Sequence, residues 1–134
     1  MCSIRTAESV CAGHPDKLAD QIADQILDDI LYDDKAARVA VEVMAAGRRI
    51  IVTGEITTNH RPRIRESVRT ALARAGYSPL GILIYVWTRR QSSDINAGVT
   101  TSLEARGGDS SAFALQGAGD QGTVYGYATA ETPE

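Results

Sequence analysis

Aromatic residues are scarce in this sequence. Phe, Trp and Tyr make up 5% of 134 residues, with one Phe and one Trp, so aliphatic side chains must fill the core. Cysteine is scarce too: Cys2 and Cys11 are too few for a disulfide scaffold and lack the paired spacing of a zinc site, so both read as reduced thiols. No apolar run approaches the roughly 20 residues that cross a bilayer. The start MCSIRTAESV lacks the basic and then apolar layout of a signal peptide, so a soluble, cytoplasmic protein without membrane contact is expected. There is no excess of positive charge either. Fourteen basic against seventeen acidic residues leave a formal charge of -3, which argues against a nucleic-acid binder held by bulk charge. What remains, 43% hydrophobic residues over 134 positions, suits one ordinary core and predicts a single domain.

Apolar residues recur at helical spacing from Asp16 onward: Leu18, Ile22, Ile26, Leu27, Ile30 and Leu31. Pro15 suits the first position of that helix, because its missing N–H would be unpaired there anyway. Residues 38–57 hold two β-branched runs around Gly47-Arg48, which predicts a hairpin. A loop of two or four residues there puts Glu42 and Glu55 on one sheet face, whereas three would separate them; the shared face is the favoured arrangement. A second helix is expected from Pro62, through Ile64, Val68, Ala71 and Leu72, to a left-handed stop at Gly76. Its exposed side is basic and that of the first helix acidic, so the two could lie with opposite charges facing. The run 82–88, ILIYVWT, predicts a strand covered on both faces. Residues 3–9 and 123–129 are weaker strand candidates, and 92–116 is expected to be a mobile loop. The order predicts an α+β fold: a two-layer β-α-β-β-α-β unit whose mixed sheet carries two helices on one face, leaving the other face to be covered by something else.

Four groups of residues have chemical character. Gly13-His14-Pro15-Asp16-Lys17 sits at a helix start, whose free N–H groups and partial positive charge suit a phosphate; Asp16 either complements the dipole or holds the Mg²⁺ of a polyphosphate. Gly117 to Gly122, GAGDQG, is a glycine-rich turn or a ligand cradle around Asp120, but neither a Walker loop nor a dinucleotide fingerprint. Glu42 and Glu55 lie within apolar strands, where a carboxylate needs a cation or donors unless it sits at a solvent edge. The polar cluster from Gln91 to Asn96 directly follows the 82–88 strand, and taken alone it reads as a loop.

Taken together, ESVCAGHPDK, ADQI, LDDIL, ARVAVEV, TGEITT, QSSDINAGV and QGAGDQGTVYGYATAET resemble, in order, the N-terminal third of the S-adenosylmethionine synthetases, or methionine adenosyltransferases. The resemblance implies a transferase in which methionine sulfur attacks the 5′ carbon of ATP and the released triphosphate is hydrolysed to phosphate and pyrophosphate. It implies Mg²⁺ and K⁺ as cofactors and a homo-oligomer, a dimer or dimer of dimers, assembled through sheet faces. By motif, His14 resembles the histidine near the ATP triphosphate and leaving oxygen, and Asp120 the GAGDQG aspartate near the substrate amine; these are the residues assigned to catalysis. Lys17 falls in the ATP-binding motif, Asp16 at a magnesium ligand, Glu42 at the potassium site, and Glu55 and Gln91, with Asp120, at methionine-binding positions. The Gln91 segment opens what in the family is a gating loop. With the family's later metal and phosphate-binding residues absent from these 134 positions, the resemblance implies a chain inactive alone. The alternative is a noncatalytic module that pairs with a full-length synthetase subunit.

Overall fold

The computed structural model describes residues 4, 6, 8–92, 102–116, 123–126, 128 and 130. They fall into two compact units, Met1–Gln91 and Ser92–Glu134.

In the first unit, the stripe after Gly13-His14 forms α1, Pro15–Asp33, with Pro15 in its first turn as expected. The hairpin forms β1, Arg38–Ala46, and β2, Arg49–Thr57, antiparallel with Ala46 opposite Arg49 across the two-residue turn Gly47-Arg48. That register puts Glu42 opposite Thr53 and Glu55 opposite Ala40, so both glutamates share one sheet face. The second helix, α2, runs Ile64–Arg74, starting two residues beyond Pro62 with Arg63 as an N-cap whose side chain makes no capping bond. It forms the crossover that lets β3, Leu83–Arg89, lie parallel to β2. The sheet order is β1-β2-β3, with β2 in the centre.

Both helices cover the same sheet face. Leu18, Ile22, Ile26 and Ile30 of α1 and Ile64, Val68, Ala71 and Leu72 of α2 close over Ile50, Val52 and Ile56 of β2. Val39, Val41 and Val43 of β1 and Ile84 and Val86 of β3 flank that core. The result is the expected two-layer α+β arrangement with a mixed sheet and two helices on one face. The outer face carries the opposite parity, and among the described residues Leu83 is 51% and Trp87 66% exposed there. Among the described residues of 3–9 and 123–129 there is no strand; a lone extended segment has no ladder to join.

The two helices do not face each other with opposite charges. Asp20, Asp24 and Asp28 point to solvent, as do Arg65 and Arg69, and no ion pair links α1 to α2. Their polar bridge is the buried amide of Gln25: Arg74 donates to its Oε1 at 2.6 Å, and its Nε2 donates to Asp29 at 2.8 Å. Burial of a neutral amide with both ends bonded costs less than burial of two charges. At the other end of α1, Asp34 accepts from the Asn59 N–H at 2.8 Å, the Thr58 hydroxyl at 2.9 Å and the Ala36 N–H at 3.1 Å. Those bonds, the Asn59 N–H foremost, hold its carboxyl below the usual aspartate value and tie the end of α1 to the end of β2.

The second unit contains α3, Leu103–Arg106, and α4, Ala112–Gln116, both within the stretch expected to be a loop. Ser102 joins them: its Oγ accepts from the Ala105 N–H at 3.0 Å and donates to the Ala114 carbonyl at 2.7 Å.

Gly54, in the TGEITT motif, is the point of closest strand approach. It has φ +123, and a Cβ there would collide with the Ala40 carbonyl oxygen and come within 2.9 Å of Val41 Cα. Neither backbone can retreat without breaking the register, so Gly54→Ala should cost at least about 2 kcal/mol. Urea unfolding of the two proteins measures this, and a loss below about 0.5 kcal/mol would mean that the strands can separate cheaply.

Candidate functional site

His14 caps α1. Its backbone is extended (φ -62, ψ 134) and its Nδ1 accepts from the Asp16 N–H at 3.3 Å. With Nδ1 an acceptor, the neutral ring carries its proton on Nε2, which is left as a donor directed away from the cap. Asp16 is exposed beside it and complements the positive helix end. Lys17 is partly buried, because its Nζ donates to the Val10 carbonyl at 2.9 Å and pins the entry segment to the helix. The His14 N–H donates to the Cys11 carbonyl at 2.9 Å, and Cys11 is a free, exposed thiol.

The entry segment has one further anchor. α2 ends in a Schellman turn, with Gly76 at φ +86, its N–H on the Ala73 carbonyl and the Tyr77 N–H on the Leu72 carbonyl at 2.9 Å. The turn aims Tyr77 back at the start of α1, where its hydroxyl donates to the Gly13 carbonyl at 2.9 Å.

A second cluster lies where β2 and β3 end. Glu55 stands opposite Arg89 across the parallel pair, and its Oε1 receives both the Nε and a terminal nitrogen of Arg89 at 3.0 Å. The Glu55 side chain is only 12% exposed while that of Arg89 is 80% exposed, so a covered carboxylate is met by its own chain's cation. Glu42, on the same face, is exposed, and burial does not force a cation on it. Just beyond β3, the Gln91 N–H donates to Thr57 Oγ1 at 3.4 Å. Its Oε1 is buried with no hydrogen-bond partner, an acceptor in want of a donor.

These two clusters are at opposite ends of the unit. α1 has 19 residues and so spans about 28 Å. Its C-terminal end meets Thr58 and Asn59, just past Glu55, and its N-terminal end meets Tyr77. His14–Lys17 and Glu55–Gln91 are therefore on the order of 20 Å apart within one chain. Asp120 and the rest of GAGDQG lie outside the described residues. A groove of about 470 Å³ between the end of α1 and the segment before α2 contains none of the expected site residues; its Asp29, Asp33, Arg61 and Arg63 mix both signs of charge. Among the described residues, no three His, Cys, Asp or Glu side chains converge as a metal cage, and no helix is long and apolar enough to cross a membrane.

Residue-level reading had missed Arg89 and Tyr77. Arg89 shares the parity of Leu83, Tyr85 and Trp87, a signal that it continues the outer face. Tyr77 directly follows the glycine stop of a helix, where a side chain often folds back onto the structure before it.

A protein-family model described as S-adenosylmethionine synthetase, N-terminal domain, matches residues 3–96. The chain belongs to the S-adenosylmethionine synthetase family. It corresponds to the N-terminal portion of these proteins. The S-adenosylmethionine synthase of Nocardia farcinica is 45% identical over 139 residues, covering 96% of this chain and 34% of that protein. That of Finegoldia magna is 47% identical over 134 residues, covering 95% and 34%. Among solved structures, an unusual S-adenosylmethionine synthetase from Campylobacter jejuni superimposes with a TM-score of 0.59 at 33% identity, over 69% of this chain and 27% of that one. The chain thus spans about a third of the length of the relatives it matches.

The unpaired Gln91 Oε1 gives a test of the second cluster. Replacing a well-bonded buried amide normally destabilises, whereas removing an orphaned acceptor does not. Gln91→Leu should leave unfolding stability within about 0.5 kcal/mol of the parent or raise it. A loss above about 1 kcal/mol in urea denaturation would show that the oxygen already has a partner.

Proposed function

We propose that this chain is the N-terminal part of an S-adenosylmethionine synthetase. In that reaction the methionine sulfur forms a bond to C5′ of ATP, the C5′–O bond breaks, and triphosphate leaves with the electron pair. Water then hydrolyses the triphosphate to phosphate and pyrophosphate. The reading is carried by the start of α1: an imidazole whose outward nitrogen is a donor, an exposed carboxylate and a lysine occupy four consecutive positions with Pro15 at a positive helix end.

In this reading His14 Nε2–H donates to the leaving oxygen as charge develops there. Asp16 is a Mg²⁺ ligand. A single carboxylate suits that role, since Mg²⁺ ordinarily takes one or two protein carboxylates and completes its shell with phosphate oxygens and water. Lys17 keeps two N–H donors after binding the Val10 carbonyl, and these face the phosphates. Glu55 and Gln91 bind the methionine, with Asp120 as a further carboxylate near its ammonium. Glu42 lies on the same face as an exposed hard ligand for K⁺.

The separation of the two clusters also supports a homo-oligomer. One copy offers the phosphate end and another the methionine end, and the open sheet face with Met44, Leu83, Tyr85 and Trp87 is the surface through which two copies meet. Whether the assembly is a dimer or a dimer of dimers depends on surfaces beyond this face. Sedimentation at micromolar concentration should show self-association, and a well-behaved monomer would count against it.

The activity itself is tested twice. The chain, incubated with ATP, Mg²⁺, K⁺ and methionine, should form no S-adenosylmethionine above background, because it presents a single magnesium carboxylate and a single phosphate-facing lysine. In a subunit continued through the remaining two thirds of the family's length, His14→Asn should lower kcat at least ~10²-fold with folding intact. Unchanged turnover would reduce His14 to a helix cap.

A further inference from the structure

Resting on that reading of residues 14–17, we propose that Tyr77 is a positioning residue for His14, acting through the Gly13–His14 peptide. That peptide unit is held at both ends. Its oxygen, on Gly13, accepts the Tyr77 hydroxyl at 2.9 Å, and its N–H, on His14, donates to the Cys11 carbonyl at 2.9 Å. A planar unit gripped at both ends has a fixed orientation, and the His14 side chain leaves from its edge. The ring of Tyr77 adds a steric stop. A Cβ on Gly13 would lie 2.9 Å from the Tyr77 oxygen and 3.3 Å from its Cε2, so only glycine lets the ring lie this close. Gly13 does not have a positive φ, and its identity is therefore explained by Tyr77 rather than by the backbone.

Tyr77 is itself fixed from the core. Its N–H is bound to the carbonyl of Leu72, a fully buried residue of α2, through the Schellman turn at Gly76. A rigid line therefore runs from the core through Leu72 and Tyr77 to the peptide before His14. Without the hydroxyl, that peptide is free to tilt, and the bond from the Asp16 N–H to His14 Nδ1, already long at 3.3 Å, is the first to be lost. His14 then loses the acceptor role of Nδ1 that leaves the Nε2–H outward.

Tyr77→Phe isolates the effect, because it removes the hydroxyl and keeps the ring. Its Tm should fall by less than about 5 °C. In ¹⁵N spectra of the neutral ring, the parent His14 should be almost wholly the Nε2–H tautomer, whereas the variant should show a mixture of the two tautomers. Amide exchange at Asp16 should accelerate at least ~10-fold while exchange at Ile22 is unchanged. The Kd for magnesium triphosphate should rise at least ~5-fold. Gly13→Ala, which pushes the Tyr77 ring away, should reproduce the tautomer change. If Tyr77→Phe keeps the parent tautomer and Asp16 exchange, the proposal is overturned, even if triphosphate binding falls. If both signatures move but the parent chain does not bind magnesium triphosphate, Tyr77 still positions His14, and it is the synthetase reading of residues 14–17 that fails.

Discussion

Everything in the first unit depends on the contact between the apolar faces of α1 and α2 and the helix-facing side chains of β2. Ile22, Ile26, Val52, Val68 and Leu72 are the largest fully buried side chains, and each contributes on the order of 1.5–3 kcal/mol on burial. With so few aromatics, aliphatic packing has to supply rigidity as well as stability. It turns α1 into a strut whose two ends are fixed against different parts of the unit: Asp34 on the residues after β2, and the segment before His14 on a residue after α2. The His14–Lys17 cluster and the Glu55–Gln91 cluster are therefore set apart by the length of α1.

Much of this architecture was legible in the sequence. Pro15 and the Leu18–Ile30 spacing marked α1 because local rules act within one turn. The parity of Glu42 and Glu55 followed from a period of two, needing only the loop length to settle it. Gly76 announced the end of α2. What was not legible lay in side chains that meet only after the chain has crossed over. Gln25 sits on the buried side of α1 as a polar residue, for which the periodicity has no explanation until Arg74 comes alongside. Arg89 neutralises Glu55 across 34 residues, and the parallel register that joins them depends on the length and packing of α2. Gly54 has no reason within its own strand, and only the approach of Ala40 gives it one.

The two glutamates of the outer face show how one sheet surface can treat like residues differently. Both lie on the same face, yet Glu55 is covered and held by a guanidinium, whereas Glu42 stands in solvent opposite a threonine. A carboxylate already bonded through one oxygen has fixed geometry and a reduced charge to offer; a free one keeps its full charge and its freedom. Burial alone, applied to the strand sequence, would have assigned both the same need for a cation.

Trp87 is the chain's single tryptophan, and it stacks on Tyr85 at 6.0 Å on the open sheet face, two residues before the arginine that holds Glu55. An indole that is two-thirds exposed emits in a polar, relaxing solvent shell. Anything that settles on that face strips the shell and moves the emission toward the blue. The fold thus carries its own optical gauge of whether the surface is covered, with no second tryptophan to blur the signal.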